Sequence, residues 1–171
     1  MPDSKASSLG DFLPNLLGME DGEQIVFAAT TTDYKGYIIF AFENGKIAKV
    51  TMESYQTKMN RKKLINAYSA KAKLIFADYI PEDRDYVAIR DSDKASLFST
   101  SLISPNQTKS SAGIQVYTLK KNSKVSAIMP LDKFVSGDAE YYRTNKVPST
   151  GHFLKDDDRK ANGISGQIKL F

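Results

Sequence analysis

Apolar and polar positions fall in short alternating blocks along this chain, and the blocks recur. The first set runs Tyr37-Ile-Ile-Phe-Ala-Phe42, the turn Glu43-Asn44-Gly45, Lys46-Ile-Ala-Lys-Val50, a polar stretch opening at Thr57-Lys58, and Lys73-Leu-Ile-Phe-Ala77. The second runs Tyr86-Val-Ala-Ile89, the turn Asp91-Ser92-Asp93, Lys94-Ala-Ser-Leu-Phe98, a polar stretch opening at Thr108-Lys109, and Lys124-Val-Ser-Ala-Ile128. A period of roughly fifty residues built from short strands predicts a propeller-like array of small sheets, each burying a face against its neighbour. Asn44-Gly45 between two apolar runs is a strong hairpin signal, because both residues tolerate positive φ. The acidic turn at 91–93 predicts a similar hairpin. Leu64–Tyr68 and Lys73–Ile80 supply a third and fourth strand to the first repeat, and Ile114–Leu119 and Val125–Met129 do so in the second. These runs are nearly continuous, as in strands covered on both faces.

The flanks are less regular. Residues 1–8 form a polar leader, and Leu9–Leu17 is apolar but interrupted by Pro14. The turn Glu20-Asp-Gly-Glu23 and the β-rich Gln24–Thr30 resemble the close of a preceding, incomplete repeat. The pattern stops after Pro130. The expected organisation is a leader over 1–8, a blade array over 9–134, and an extension over 135–171 with an acidic, flexible tail. The array should hold about two complete four-stranded blades and a partial one before them.

Composition narrows the chemistry. The 171 residues contain no cysteine and one histidine, His152, so a disulfide framework, thiolate chemistry and a His-based triad are excluded within the chain. No glycine-rich phosphate loop or nucleophile elbow is present. Asp156, Asp157 and Asp158 fit a solvated charge run better than a cation site, since three successive residues of an extended chain cannot all face one ion. No cofactor is expected. No apolar run is long enough for a membrane span, and the first twenty residues lack a secretory pattern, which suits the cytoplasm.

The net charge of +4 is uneven. Between residues 46 and 73, Lys46, Lys49, Lys58, Arg61, Lys62, Lys63, Lys71 and Lys73 are opposed only by Glu53. The loop Gln56-Thr-Lys-Met-Asn-Arg-Lys-Lys63 concentrates cations that local acids cannot pair, and such a field attracts phosphates. The matching loop Gln107–Gly113 keeps Lys109 and is rich in small residues. Thr57, Asn60, Ser110 and Ser111 could add phosphate hydrogen bonds. The candidate phosphate contacts are therefore Lys58, Arg61, Lys62, Lys63 and Lys109, with Lys120, Lys121 and Lys124 at the next turn. Tyr34, Tyr37, Tyr55, Tyr68, Tyr79, Tyr86 and Tyr117 are spread along the strands, which favours packing over a stacking surface. The alternative from another class is a propeller fragment that presents a groove to a peptide. A phosphate-binding rim loses affinity steeply with salt, whereas a peptide groove would not.

Tyr34-Lys-Gly-Tyr-Ile-Ile-Phe-Ala-Phe-Glu-Asn-Gly-Lys46, Ser54–Ile65 and Ala112-Gly-Ile-Gln-Val-Tyr-Thr-Leu-Lys-Lys-Asn-Ser-Lys124 resemble the carboxy-terminal region of bacterial type IIA topoisomerase A subunits. This is the DNA gyrase and topoisomerase IV family, and the resemblance covers residues 9 to about 145. It implies an all-β β-pinwheel, a disc of four-stranded blades whose basic rim binds and bends double-stranded DNA for strand passage. It implies as partners the rest of the A subunit and the ATPase subunit, a nucleoid-associated place in the cytoplasm, and no catalysis by this part alone. The family's catalytic tyrosine belongs to a separate breakage-reunion domain, so no tyrosine here takes that role. Two departures stand out. A full disc has five or six blades, and the Gln-, Arg- and Gly-rich wrapping box has only degenerate counterparts at Gln56–Lys63 and Gln107–Gly113. Finally, Gln167-Ile-Lys-Leu-Phe171 is similar to peptides that dock replication and repair proteins on the sliding clamp. The same five residues also suit a final strand along a blade edge.

Overall fold

The computed structural model describes residues 15, 18–57, 66–91 and 93–164. Two four-stranded antiparallel sheets form its body. The strands are β1 (Tyr37–Phe42), β2 (Lys46–Thr51), β3 (Leu74–Ile80), β4 (Asp85–Arg90), β5 (Lys94–Ser99), β6 (Ile114–Gln115), β7 (Val125–Pro130) and β8 (His152–Phe153). A turn-and-a-half helix, α1 (Asp156–Ala161), follows. Both expected hairpins form. Tyr37 pairs with Thr51 and Ala41 with Ile47 in the first, and Asp85 with Ser99 and Ile89 with Ala95 in the second.

The sheets are not filled in sequence order. Their orders are β3-β1-β2-β6 and β7-β4-β5-β8. Each repeat therefore supplies three strands of one sheet, and a later segment crosses back to add the fourth. The expected strand Ile114–Leu119 is a correction on two counts. It is only two residues long, and it belongs to the first sheet, where Ile47 pairs with Ile114. Its remainder turns inward, so that Val116 and Tyr117 are fully buried. Tyr117 donates its hydroxyl to the carbonyls of Ala88 and Ser96 in the second sheet, at 3.3 and 3.0 Å.

Alternation along each strand sorts three apolar clusters. Ile39, Ala41 and Ile47 meet Tyr86, Ala88, Phe98 and Ile128 between the sheets. Val87, Ile89, Ala95 and Leu97 pack under Phe134, Tyr142 and Leu154 on the far face of the second sheet. Ile38, Phe40, Phe42, Ala48 and Val50 do the same on the far face of the first, under Phe27, Tyr34, Tyr55 and Tyr79. Coverage on both faces explains the nearly continuous apolar strands.

Three further expectations are corrected. Gln24–Thr30 forms no strand, so no partial blade appears among the described residues, and Ile25 and Val26 are exposed. Of this segment Phe27 alone packs against an apolar cluster, so burial gives the rest little reason to extend as a strand. Of the expected strand Leu64–Tyr68, residues 66–68 are turn and bend, and Leu64 and Ile65 lie outside the described residues. Residues 155–164 are packed rather than loose. Asp158 turns inward and accepts the Tyr142 hydroxyl at 2.6 Å and the Ser136 hydroxyl at 3.0 Å, while Ile164 reaches the second cluster. Burial and the Asp158 carboxylate push the Tyr142 hydroxyl up to about 12. A short acidic first turn suits a helix start, which the charge run alone did not reveal.

Gly45 closes the first hairpin at φ +77, and its N–H donates to the carbonyl of Phe42 at 3.0 Å. A Cβ there would also lie 2.9 Å from Gln115 Nε2 and 3.1 Å from Tyr117 Cβ. Gly45→Val should therefore cost on the order of 1–3 kcal/mol in thermal denaturation. A melting temperature equal to the parent's would show that the turn does not need glycine.

Candidate nucleic-acid interface

The structure divides the expected cationic site between two places. Lys58, Arg61, Lys62 and Lys63 lie outside the described residues, as does Asn60, but the base of their loop is defined. Tyr55 donates its hydroxyl to the carbonyl of Ala67 at 2.6 Å, clamping the two ends together. Burial holds that hydroxyl well above the ordinary tyrosine range. Lys109 Nζ sits 5.9 Å from the Tyr55 ring centroid, so the two matching loops approach one another at this point. Ser111 is already used, accepting from Gly113 N and Asn106 Nδ2, both at 3.2 Å.

Lys120, Lys121 and Lys124 stand at the other end of the sheets, and all three are exposed. Their turn closes with Ser123 N donating to the Lys120 carbonyl at 3.0 Å and Asn122 at φ 65. Asp91, on the β4–β5 turn, accepts Ser123 Oγ at 2.5 Å and Lys124 N at 2.9 Å. Val125 N donates to the Glu43 carbonyl at 2.9 Å, so both hairpin turns and this lysine turn share one rim. Five residue steps along β2 separate that rim from the Thr51 end, about 17 Å.

Charge is sorted between the two ends of the strands. The hairpin rim carries Lys46, Lys73, Lys94, Lys120, Lys121 and Lys124 against Glu43, Asp91 and Asp93. Two of those acids are engaged, Asp91 by the lysine turn and Asp93 by Arg159 at 3.7 Å. The opposite end carries Asp33, Glu53, Asp78, Glu82, Asp83, Asp85 and Asp132, and Lys35, Lys49, Arg84 and Arg143 pair with five of these seven. An open cleft there of about 630 Å³ is lined by Asp83, Arg84, Asp85, Leu131 and Asp132.

A second outer loop escaped the sequence pattern. Asn106 bridges Val50 and, three residues on, the chain reaches Lys109; Arg143 bridges Leu97 and, three residues on, it reaches Lys146. Gly113 N donates to Ser111 Oγ at 3.2 Å, and Gly151 N donates to Ser149 Oγ at 3.1 Å. Both glycines have positive φ, +72 and +68, and both lie against the second residue of their hairpin strand, Ile47 and Ala95. Residues 143–153 thus repeat 106–115 in space. The legible signals were Ser111-Ala-Gly113 and Ser149-Thr-Gly151, each followed by two strand residues.

The remaining candidates take structural roles. Tyr86 and Tyr117 are fully buried, and Tyr68 stacks on Phe40 at 5.6 Å, in keeping with packing. His152 is exposed beside Tyr141, with ring centroids 5.0 Å apart. Asp156 pairs with Arg159 at 2.8 Å while Asp158 points inward, so the acidic run is split. Among the described residues no acidic or histidine cluster is arranged to hold a metal ion, and no helix is long and apolar enough to cross a membrane.

No known family model matches the chain, and no curated protein matches it in sequence. Solved structures do match. The C-terminal domain of DNA topoisomerase IV superposes with a TM-score of 0.64 at 20% identity, covering 81% of this chain and 42% of that one. The C-terminal domain of DNA gyrase A gives 0.62 at 15% identity, covering 83% and 52%. The C-terminal domain of E. coli ParC gives 0.62 at 11% identity, covering 88% and 68%. The chain spans about half the length of the first two structures it matches. At these identities the likeness is one of fold: the chain is an all-β protein with the β-pinwheel architecture of the C-terminal domains of DNA gyrase A and topoisomerase IV.

Proposed function

We propose that this chain binds double-stranded DNA without sequence preference along its hairpin rim and outer loops, as the DNA-guiding end of a type II topoisomerase A subunit. The sorting of charge carries this reading. The fold gathers six lysines from two hairpins and a loop on one rim, against three acids of which two are engaged. A duplex presents about one charge per 1.7 Å of axis, and lysines that neutralise phosphates gain affinity by releasing counterions. Lys109 extends the contact along the outer edge, and Lys58, Arg61, Lys62 and Lys63, outside the described residues, add to the positive charge of the chain. In this role the chain bends and positions DNA and catalyses nothing itself. It works in the cytoplasm, at the nucleoid, with the rest of the A subunit and the ATPase subunit, and Gln167–Phe171 docks on the sliding clamp.

Replacing Lys120, Lys121 and Lys124 together by Ala should weaken binding to all duplexes alike. It should also flatten the slope of log affinity against log salt by about 2.7, the value for three phosphates. Stability should hold, because exposed charges contribute little to folding. A slope unchanged in the triple variant ends the assignment of this rim. A parent protein whose binding ignores salt would favour a peptide groove instead.

A further inference from the structure

The two outer edges of this chain share a backbone course, and they differ in the residue that pairs with the first lysine of each hairpin strand. On the first sheet Lys46 pairs with Gln115, and on the second Lys94 pairs with Phe153. Gln115 is tied down, its Nε2 donating to the carbonyls of Asn44 at 2.9 Å and Tyr117 at 2.6 Å. Phe153 replaces that polar anchor with a ring left 64% exposed. The Lys94 ammonium lies 4.5 Å from its centroid. Lys146 lies seven residues earlier on the same edge segment, and Lys155 two residues beyond Phe153, above the Tyr141 ring at 4.5 Å.

We propose that the edge formed by β8 binds single-stranded nucleic acid, with a base stacked on Phe153 and the flanking phosphates held by Lys94 and Lys146. An exposed ring beside cations suits this ligand because every base has a π-face and every linkage a charge. Intact duplex offers no free base face, so this site goes beyond the duplex contact of the hairpin rim. Charge favours an anionic occupant: Lys94 and Lys146 belong to the edge, Asp93 and Asp156 are engaged by Arg159 and Asp138 by Lys155, and of the acids that follow only Asp157 stands exposed beyond them. Along β5 the step from Leu97, beside the Arg143 strand, to Lys94 is about 10 Å, within reach of neighbouring linkages.

The test is fluorescence anisotropy of the whole chain with labelled oligothymidine and, separately, with labelled duplex. Phe153→Gln installs the residue of the sister edge and should fold. It should lower oligothymidine affinity about 5- to 150-fold, the range one stacked base contributes, and lower duplex affinity far less, because a duplex offers the ring no free base face. Phe153→Tyr, which keeps a ring, should retain oligothymidine binding. Equal oligothymidine affinity in Phe153→Gln and the parent would overturn the proposal and leave the ring to a protein partner. So would a parent chain that binds duplex but no oligothymidine. A parent that binds oligothymidine but no duplex would end the duplex reading while supporting this one.

Discussion

Gly113→Ala should unfold the edge of the first sheet. A Cβ at this position would stand 2.1 Å from the carbonyl oxygen of Ile47, 2.2 Å from its carbon and 2.5 Å from Ala48 N. All three are backbone atoms of a central hairpin strand, so no side-chain rotation relieves the overlap. The backbone is also at φ +72, where a side chain is strained in open space. Relief requires β6 to lift from β2, which would draw Val116 and Tyr117 out of the layer between the sheets. The cost should exceed about 4 kcal/mol, the range reserved for core disruption or severe strain. Gly151→Ala should cost less, since its nearest atoms are Ala95 O at 2.7 Å and Ser96 Oγ at 2.9 Å, and the second can move. Gly137→Ala, with nothing within 4 Å, should stay within about 0.5 kcal/mol. Thermal denaturation of the three variants checks the order. A Gly113→Ala chain as stable as Gly137→Ala would mean that β6 is not closed against β2.

These glycines also mark where the sequence could be read and where it could not. The hairpins were legible because strand alternation and turn residues are local signals. Asn44-Gly45 states its own conformation, and Asp91–Asp93 repeats its place. The crossing strands were not legible as such. A two-residue strand has no period, and its partner lies 67 or 57 positions away in sequence, as Ile47–Ile114 and Ala95–His152 pairings require. Hence Ile114–Leu119 was expected in its own repeat, and residues 143–153 were passed over as an extension. Charge was legible only as composition along the chain. Lys120, Lys121 and Lys124 were found because they cluster locally. Lys46, Lys73 and Lys94 join them only once two hairpins and a loop are folded onto one rim. Phe153 could not be singled out at all, because its departure is visible only against Gln115, which the fold places in register with it.

The second large effect concerns how the two edges are held. Lys49 is 3% exposed, and its ammonium donates to Asp83 Oδ1 at 2.5 Å and to the Thr100 carbonyl at 3.3 Å, with the Tyr37 ring 4.3 Å away. Thr100 Oγ1 donates to the same carboxylate oxygen at 2.6 Å. Strand β2, the β3–β4 connection and the residue after β5 thus meet at one ion pair. Its members are unequally placed, because the Asp83 side chain is 37% exposed. Asp83→Asn should leave a buried ammonium without its counter-charge and cost about 3 kcal/mol, the lower end for a broken buried pair because solvent reaches the site. Lys49→Met should cost no more than about 1 kcal/mol, since an apolar chain suits the burial and water can hydrate the freed carboxylate. Burial alone would raise the Asp83 carboxyl. The Lys49 and Thr100 hydrogen bonds overcome it and hold the carboxyl below its usual range. A depressed folded value means that this stabilisation is full above the unfolded value, about 4, and is lost as pH falls through the folded one. Denaturant titrations across acidic pH should therefore show a decline in the parent that is shallower in Lys49→Met. Equal costs for Asp83→Asn and Lys49→Met, or parallel pH profiles, would show that the pair does not hold the sheets. Because the outer loops with Lys109 and Lys146 sit on different sheets, a rigid join here is what would let one nucleic-acid path touch both.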